Sequence, residues 1–301
     1  MKKISNIIYL LPLISLLSLT LPSPIAAAET TKEKLSTKES WQNWVNKYDK
    51  GRRSENGWLS LVGLYWLKEG NNTLGSAKGN QHRFPAAMPA TFGELTITGD
   101  KIQFTRKAKD ILIDKKDIES STLIVNETTV SLGSYSFYVI KREKGFAIRL
   151  KDSKSPHLAK YDGAHFYPYS KNWSVPARLI KNETAKKINI ATVYGTVREN
   201  DSAGILEFTV NGKTLRLEAV SYGPEEPMAL MFADETSQET TYGAGRFLDV
   251  DWPKDGDKTT INFNYAYNPP CAITEFATCP LPPRQNRLDV GVEAGELFSG
   301  H

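Results

Sequence analysis

The sequence is short of the residues that build metal sites and nucleophilic sites. Its 301 residues include two cysteines and four histidines, and one of these, His301, is the last residue. It contains no Gly-rich phosphate-binding loop, no His-Glu-x-x-His motif and no Gly-x-Ser-x-Gly motif. These absences weigh against a nucleotide-binding protein, a zinc protease and a serine hydrolase, and we expect no cofactor and no bound metal.

A strong excess of charge is also lacking. The chain has 38 Lys and Arg against 34 Asp and Glu, and the two signs are mixed along its length. Proteins that bind nucleic acid carry a basic patch or stripe that neutralises phosphates. The near balance therefore predicts no nucleic-acid partner.

Long apolar runs are absent beyond the first residues. Lys2 and Lys3 precede an apolar stretch over residues 7–21, and Ala26 and Ala28 form the small-residue pattern of a signal-peptide cleavage site. The stretch is short for a membrane span, which needs ~20 residues. We predict a signal peptide over residues 1–28, a disordered lead-in over residues 29–35, a periplasmic or secreted protein, and no stable membrane insertion after cleavage.

The next part of the chain predicts one helix followed by β structure. An apolar face at helical spacing is formed by Trp41, Trp44, Val45 and Tyr48. We expect this face to dock on a sheet, with contact to a ligand as the alternative. From residue 58 the apolar residues alternate with period two, and Gly99-Asp100 separates two such runs as a hairpin turn does. Residues 36–152 are predicted to hold the helix and an antiparallel β-sandwich.

The second half resumes this alternation after a connector. Pro156 and Pro168 interrupt regular structure across residues 153–175. Asn211-Gly212 then lies between two alternating runs, which is a strong short-range sign of a hairpin. Residues 176–301 are predicted to form a second antiparallel β domain, so the fold class is mainly β.

Both cysteines lie in one proline-rich segment, residues 264–288, which we call the C-terminal loop. His157, His165, Cys271 and Cys279 could together supply four zinc ligands. The seven residues between the cysteines exceed the spacing of a zinc knuckle. Two cysteines in an exported protein favour a disulfide, so we predict a Cys271–Cys279 disulfide and no metal site.

Two pairs of carboxylates lie in the second half of the chain, one on a strand and one near residue 296. Asp249 and Asp251 are two positions apart and hence on one face of a strand, where they could share a proton or hold a cation. The simpler interpretation is a solvated strand end. Glu293 and Glu296 are likewise expected to be solvated.

An enzyme is the alternative function. His165 or His157 would act as the base beside Asp249 or Asp251, as in a hydrolase or a lyase. Such a site requires a histidine and a carboxylate within hydrogen-bonding reach in one cleft.

The segment around Arg246 offers a possible binding surface. Gly243 and Gly245 leave one face of a strand without side chains, which lets a backbone or a ligand approach closely. Arg246 could hold a carboxylate or a phosphate in a two-point contact, or it could pair with an internal Asp or Glu. Both alternatives stay open.

The chain contains the segments WLSLVGLYWLKEGNNTLGS, SFYVIKR, YGAGRFLDVDWP and NYAYNPPCAITEFATCPLPPRQNRLDVGVEAGE. Together these closely resemble a bacterial and archaeal family of unknown function, the DUF1684 family. The similarity extends from Trp41 to Glu296, and the last segment is the most specific. The resemblance implies a shared fold and a shared, uncharacterised role. It brings no activity, cofactor or catalytic residue.

The start of the first domain is also faintly similar to a forkhead-associated (FHA) module, a β-sandwich that reads phosphothreonine peptides. Leu74, Gly75 and Ser76 stand where such modules place their first Gly-Arg turn, yet no Arg follows Gly75. The segment AKGNQHRFP also lacks the usual Ser-x-x-His arrangement. The resemblance implies an FHA-like sandwich over residues 36–152, and the departures argue against phosphopeptide binding.

A binding or interaction module for an unknown small molecule or peptide is therefore the first functional hypothesis. Its ligand is expected between the two β domains, near the glycine-bare strand and the C-terminal loop. The contacts of this site are predicted at Tyr242, Arg246, Asn264, Tyr267, Asn268 and Arg287.

Overall fold

The computed structural model describes residues 37–298. The predicted signal peptide over residues 1–28 and lead-in over residues 29–35 lie outside the described residues. The described chain is mainly β with one long helix at its N-terminal end, so the predicted fold class is confirmed. Within residues 37–298, no helix is long and apolar enough to cross a membrane.

The described residues form two α-helices, five short 3₁₀ helices and three β-sheets. Helix α1 spans Thr37–Arg52 and the short helix α2 spans Pro156–Lys160. The strands are β1 (Leu61–Trp66), β2 (Gly70–Gly75), β3 (His82–Arg83), β4 (Gly93–Thr98), β5 (Lys101–Arg106), β6 (Leu112–Ile113), β7 (Ser120–Thr122), β8 (Val130–Leu132), β9 (Tyr135–Arg142), β10 (Gly145–Asp152), β11 (Ser174–Ile180), β12 (Lys187–Ala191), β13 (Val197–Val210), β14 (Lys213–Ser221), β15 (Met228–Phe232), β16 (Arg246–Val250) and β17 (Lys258–Asn262).

The first two sheets pack as a sandwich around one hydrophobic core. Their strand orders are β1-β10-β9-β8-β6 and β3-β2-β4-β5-β7. Alternation turns Leu95 and Ile97 of β4 inward, where they join Phe104 of β5 and Phe137 of β9 in the core. The predicted turn at Gly99-Asp100 joins β4 to β5 and is confirmed.

The third sheet has the order β16-β15-β14-β13-β11-β17, and β12 pairs with β13 beside this path. Leu206, Leu217 and Leu230 are fully buried in its core. Asn211 and Gly212 join β13 to β14, and their positive φ angles of 52° and 77° are those of a type I′ turn. The predicted hairpin is therefore confirmed.

The aromatic face of α1 docks on irregular segments. The Trp41 Nε1–H donates to the backbone oxygen of Asn264 at 2.9 Å. The Trp41 ring lies 6.1 Å from the Phe166 ring and 5.7 Å from the Tyr169 ring, between centroids. The expectation that this face docks on a sheet is wrong. The Trp41 indole instead packs against aromatic side chains of the connector and hydrogen-bonds to the backbone of the C-terminal loop.

Candidate functional site

A buried ion pair between α1 and the end of the described chain organises the site. Arg52 Nη1 donates to Glu296 Oε1, and Arg52 Nη2 lies 3.2 Å from Glu296 Oε2. Glu296 also accepts from the Tyr48 hydroxyl at 2.8 Å and from the Asn268 backbone N–H at 2.7 Å. The carboxylate therefore has a hydrogen-bond donor at each oxygen, as a buried charge requires.

The burial of Glu296 corrects the expectation of a solvated tail. The residue is 2% exposed and Arg52 is 6% exposed, whereas Glu293 is exposed as expected. Burial raises the pKa of the Glu296 carboxyl above its ordinary value, and the charge of Arg52 opposes that effect. The same burial, with the charge of Glu296, raises the pKa of the Tyr48 hydroxyl well above its ordinary value.

A cleft of about 610 Å³, which we call the first cleft, opens beside this ion pair. Five aromatic rings line it: Trp44, Tyr48, Trp58, Tyr138 and Tyr267. Its charged and amide side chains are Lys47, Arg52, Asn56, Lys151 and Asn268. No described Asp or Glu lines the first cleft, so its charge is positive.

One of the three cationic side chains of the first cleft, Lys151, lies where β9 and β10 meet the cleft. The Lys151 Nζ lies 5.1 Å from the Tyr138 ring centroid and donates to the backbone oxygen of Asn56 at 2.8 Å. Arg149, also on β10, lies next to this part of the cleft and is 5% exposed. Its guanidinium is 4.8 Å from the Trp58 ring. Burial lowers the pKa of Lys151, and the charge of Arg149 lowers it further.

One buried acceptor at the cleft has no partner. The Asn268 Oδ1 makes no hydrogen bond within the described residues, although it is shielded from solvent. Its Nδ2 donates to the backbone oxygen of Leu297 at 2.9 Å, which fixes the orientation of the amide. A buried, unpaired carbonyl costs free energy that a ligand donor can recover.

A second cleft of about 670 Å³ shares Arg52, Asn268 and Ile273 with the first. It is further lined by His157, His165, Cys271, Glu275, Glu296 and Phe298, among others. Both histidines are exposed, and the His165 Nε2 lies 3.3 Å from Asp162.

A third cleft of about 540 Å³ contains Asp249, together with Tyr267, Arg198 and Glu226. Burial and the charge of Glu226 raise the pKa of the Asp249 carboxyl, although a hydrogen bond with Tyr267 lowers it. Asp249 and Asp251 are both exposed, as the interpretation of a solvated strand end expects.

The residues of the predicted enzyme site are not brought together. The histidines line the second cleft and Asp249 lines the third. Among the described residues, the ion pair of His165 is with Asp162 and not with Asp249 or Asp251.

The six predicted ligand residues are dispersed. Tyr267 and Asn268 line the first cleft. Tyr242 packs against Phe298 and donates its hydroxyl hydrogen to the backbone oxygen of Cys271 at 3.3 Å.

Two more of the six occupy structural and surface positions. Asn264 is 1% exposed and exchanges two hydrogen bonds with the Ser170 backbone, at 2.9 and 2.8 Å. Arg287 is exposed and does not line the first cleft. Asn264 therefore holds the connector against the C-terminal loop and has no free face.

Arg246 takes the internal pairing that the sequence left open. It is fully buried, and its Nη2 donates to Asp234 Oδ2 at 2.8 Å and to the Val292 carbonyl at 3.0 Å. Gly245 allows this packing, since it has φ of +92° and a Cβ there would lie 2.5 Å from the Phe232 backbone oxygen. The glycine-bare face is therefore filled by protein.

The two cysteines are adjacent free thiols. The Cys271 N–H donates to Cys279 Sγ at 3.1 Å, and the Cys279 N–H donates to Cys271 Sγ at 3.3 Å. The predicted disulfide stays a prediction. No group of three or more His, Cys, Asp or Glu in residues 37–298 is arranged to hold a metal ion.

Sequence reasoning missed Trp58 and Lys151 of the first cleft and Arg149 beside it. Arg149 and Lys151 alternate with the buried Ile148 and Leu150 on β10, so the period of two already placed them together on the outer face of the sandwich. Trp58 was assigned to a strand, but it starts a 3₁₀ turn before β1. The alternation of apolar and charged residues in FAIRLKD, residues 146–152, was the sequence signal from which Arg149 and Lys151 could have been found.

Residues 159–297 match the model of a family described as "Protein of unknown function (DUF1684)". The resemblance seen in the sequence is thereby confirmed for this part of the chain, which includes the whole C-terminal loop. No curated protein matches the chain.

Some solved structures also resemble the chain. An uncharacterized protein from gene locus rrnAC0354 of Haloarcula marismortui, solved by NMR, is 28% identical with a TM-score of 0.40, over 46% of this chain and 78% of that chain. An FHA domain studied for phosphothreonine-dependent interactions is 17% identical with a TM-score of 0.22, over 29% and 81%. The Rv0020c FHA structure is 16% identical with a TM-score of 0.22, over 30% and 89%.

Proposed function

We propose that this protein binds a small anionic ligand with a flat apolar body in the first cleft. The observation that carries the proposal is the lining of the cleft, which combines five aromatic rings and three cationic side chains with no carboxylate. Small-ligand sites are typically concave and apolar, with a few polar groups that fix orientation.

Lys151 is the residue best placed to hold the negative group. Its single described hydrogen bond, to Asn56, leaves two ammonium hydrogens for a ligand. No described carboxylate lies within ion-pair distance of Lys151, whereas the charge of Arg52 is already matched by Glu296. An anion would therefore gain a partner at Lys151 without breaking an internal ion pair.

Arg149, which lies next to the first cleft, strengthens the preference of the cleft for an anion. Its guanidinium has no carboxylate partner among the described residues, and it is shielded from water by Trp58 and Tyr138. Charges act over longer distances where water is excluded. The electrostatic potential at the Lys151 end of the first cleft is therefore positive, although Arg149 itself cannot touch the ligand.

The size and walls of the cleft suit a flat molecule. Its volume of about 610 Å³ is within the usual range of small-ligand sites, roughly 300–1,000 Å³. Trp44 and Tyr48 are already stacked, with ring centroids 5.2 Å apart and planes inclined by 12°. An aromatic or planar ligand can extend such a stack without rearranging side chains.

Asn268 adds a requirement for a hydrogen-bond donor on the ligand. Its Oδ1 has no partner but is shielded from solvent, so it can accept an N–H or an O–H from a ligand only after the side chain, which is held by its bond to Leu297, turns toward the cleft. An anionic molecule that also carries a hydroxyl or an amino group satisfies both ends of the site.

We further propose that the protein acts after export. Lys2, Lys3 and the small residues Ala26 and Ala28 support a cleaved signal peptide. Mass spectrometry of the protein from a fractionated culture tests this, because cleavage after Ala28 predicts a mature chain that starts at Glu29. A cytoplasmic chain of full length would contradict it.

The binding proposal is tested by calorimetric titration with three probes of one shape. These are 2-naphthoate, the uncharged 2-naphthalenemethanol and the cationic 2-naphthylmethylamine. We expect 2-naphthoate to bind at least about tenfold more tightly than the other two, because a charge-assisted contact contributes roughly 1.5–3 kcal/mol. The preference should weaken as salt is added.

Matched variants locate the site. Lys151→Met should weaken 2-naphthoate binding about tenfold and leave the uncharged probe unchanged. Lys101→Met is the control, since Lys101 is exposed on β5 and does not line the first cleft. Equal binding of all three probes, or an unchanged affinity in Lys151→Met, would overturn the proposal.

A further inference from the structure

We propose that Cys271 and Cys279 form a redox-active dithiol that exchanges with external disulfides, with Cys271 as the attacking sulfur and Cys279 as the resolving sulfur. Cys271 lines the second cleft, and the proposal does not depend on the ligand of the first cleft, although Arg149 lies next to both sites.

The two cysteines are already in exchange geometry. Each backbone N–H donates to the sulfur of the other cysteine, at 3.1 and 3.3 Å. Such N–H contacts stabilise negative charge on sulfur, and the thiolate is the nucleophile in disulfide exchange. Neither sulfur needs a large rearrangement of the backbone to reach the other.

Their exposure differs in the way that the two roles require. Cys271 is half-buried and lines the second cleft, which is open to solvent. Cys279 is 5% exposed. An external disulfide can therefore reach Cys271, whereas Cys279 can meet only a sulfur that is already attached to Cys271.

Two arginines next to the pair lack carboxylate partners. Arg142 Nε and Arg149 Nη2 both donate to Thr278 Oγ1, at 3.2 and 3.3 Å. No described carboxylate is within ion-pair distance of either guanidinium, and the Arg149 Nε is buried without a partner. Burial and the charge of Arg149 lower the pKa of Arg142. A negative sulfur would offset this charge.

The balance of charges around the sulfurs favours Cys271 as the thiolate. The Cys279 thiol lowers the pKa of Cys271, and the Cys279 N–H and Arg149 add to this effect against the opposing effect of burial. The Cys271 thiol and burial raise the pKa of Cys279. The other titratable groups that face the pair are Tyr194 and Tyr242. Along the second cleft these groups are Arg52, His157, Lys160, Tyr161, Asp162, His165, Glu275 and Glu296.

The exchange balances without a further reactant. The Cys271 thiolate attacks one sulfur of an external disulfide, which forms a mixed disulfide and releases the other sulfur as a thiolate that takes a proton. Cys279 then loses its proton to solvent and attacks Cys271 Sγ, which forms the Cys271–Cys279 disulfide and releases the second external thiol. One external disulfide is reduced by two electrons, and the dithiol is oxidised by two electrons.

The first measurement is the redox equilibrium of the full chain. The reduced protein is equilibrated in buffers of reduced and oxidised glutathione, its thiols are trapped by alkylation, and the forms are counted by mass spectrometry. We expect the pair to pass from dithiol to disulfide within the glutathione range. A pair that stays oxidised in the most reducing buffer is an inert crosslink, and that result would overturn the proposal.

The second measurement separates the two sulfurs. In Cys279→Ser, we expect Cys271 to form a mixed disulfide with oxidised glutathione about tenfold faster at pH 7 than it does in the same chain unfolded in urea. In Cys271→Ser, Cys279 should not react while the chain is folded. A Cys271 that reacts no faster folded than unfolded would contradict its role.

Arg149 is a positioning residue in this proposal. With Cys279→Ser as background, Arg149→Met should move the pH at which Cys271 alkylation reaches half its maximal rate to a higher value, and Arg149→Lys should restore most of it. Circular dichroism confirms that each variant is folded. If all three folded proteins gave the same pH profile, Arg149 would not contribute to the reactivity of Cys271, and the role proposed for Arg149 would be wrong.

Discussion

Arg52 and Glu296 are 244 positions apart and meet in a buried, hydrogen-bonded ion pair. Arg52 lines both the first and the second cleft, and Glu296 lines the second, so the pair lies where the two clefts meet. The aromatic binding surface and the dithiol therefore both lie near one buried charge pair.

Removal of one partner of this ion pair should destabilise the protein strongly. Glu296→Ala leaves Arg52 as an uncompensated buried charge, and we expect a loss of about 3–5 kcal/mol in the free energy of unfolding, measured with urea. Glu293→Ala is the control, because Glu293 is exposed, and should change stability by less than about 0.5 kcal/mol. The double variant Arg52→Met, Glu296→Leu should recover much of the loss. A stable Glu296→Ala protein would contradict the assignment.

Gly245 should not tolerate a side chain. A Cβ would lie 2.5 Å from the Phe232 carbonyl oxygen and 2.6 Å from Pro282 Cγ, at φ of +92°. We expect Gly245→Ala to lower the free energy of unfolding by on the order of 2 kcal/mol. Gly79→Ala is the comparison, since no atom lies within 4 Å of its Cβ position and its stability should be nearly unchanged.

Glu218 should make stability depend on pH in the acidic range. It is 5% exposed and accepts from Lys186 and Gln285, each at 2.7 Å, and from Ser202 at 2.9 Å. Burial alone would raise the pKa of the Glu218 carboxyl, but these partners outweigh it, and the pKa lies below its ordinary value.

The sign of this dependence follows from proton binding. At a pH between the two pKa values the unfolded chain binds the proton and the folded chain does not, so the contribution is present above the ordinary pKa of about 4.3 and is lost as the pH falls through the folded value. Glu218→Gln should cost about 1–3 kcal/mol at pH 7 and progressively less below pH ~4. Glu199→Gln is the control, since Glu199 is exposed, and at pH 7 it should change stability by less than about 0.5 kcal/mol.

Asp249 should titrate above its ordinary value. Burial and the charge of Glu226 raise the pKa of this carboxyl, and Tyr267 lowers it in part. In Glu226→Gln, the Asp249 pKa measured by carbon-13 NMR should shift down toward the ordinary value. An unchanged titration curve would show that burial alone is responsible.

Most of the fold could be predicted from local sequence patterns. The alternation of β4 and β5 and the turn residues Gly99-Asp100 and Asn211-Gly212 act over neighbouring positions, so period and turn chemistry were enough to predict these hairpins. The helical spacing of Trp41 and Tyr48 predicted a docking face for the same reason.

The candidate site depends on contacts that no local pattern carries. Glu296 looked like part of a solvated tail because its partners, Arg52 and Tyr48, lie in the first helix. Arg246 was open to two interpretations because Asp234 reaches it only through the pairing of β15 with β16 and the turn before it. Spacing along the chain cannot choose a partner that the tertiary fold supplies.

The contact between Arg52 and Glu296 also has a temporal consequence. A growing chain emerges from the ribosome N-terminus first, so α1 is complete long before its acidic partner exists. This ion pair has a high contact order and forms only after residue 296 has been synthesised. Nascent chains therefore expose the aromatic face of α1 and the charge of Arg52, and a chaperone that recognises apolar segments would find its target there until Glu296 is released.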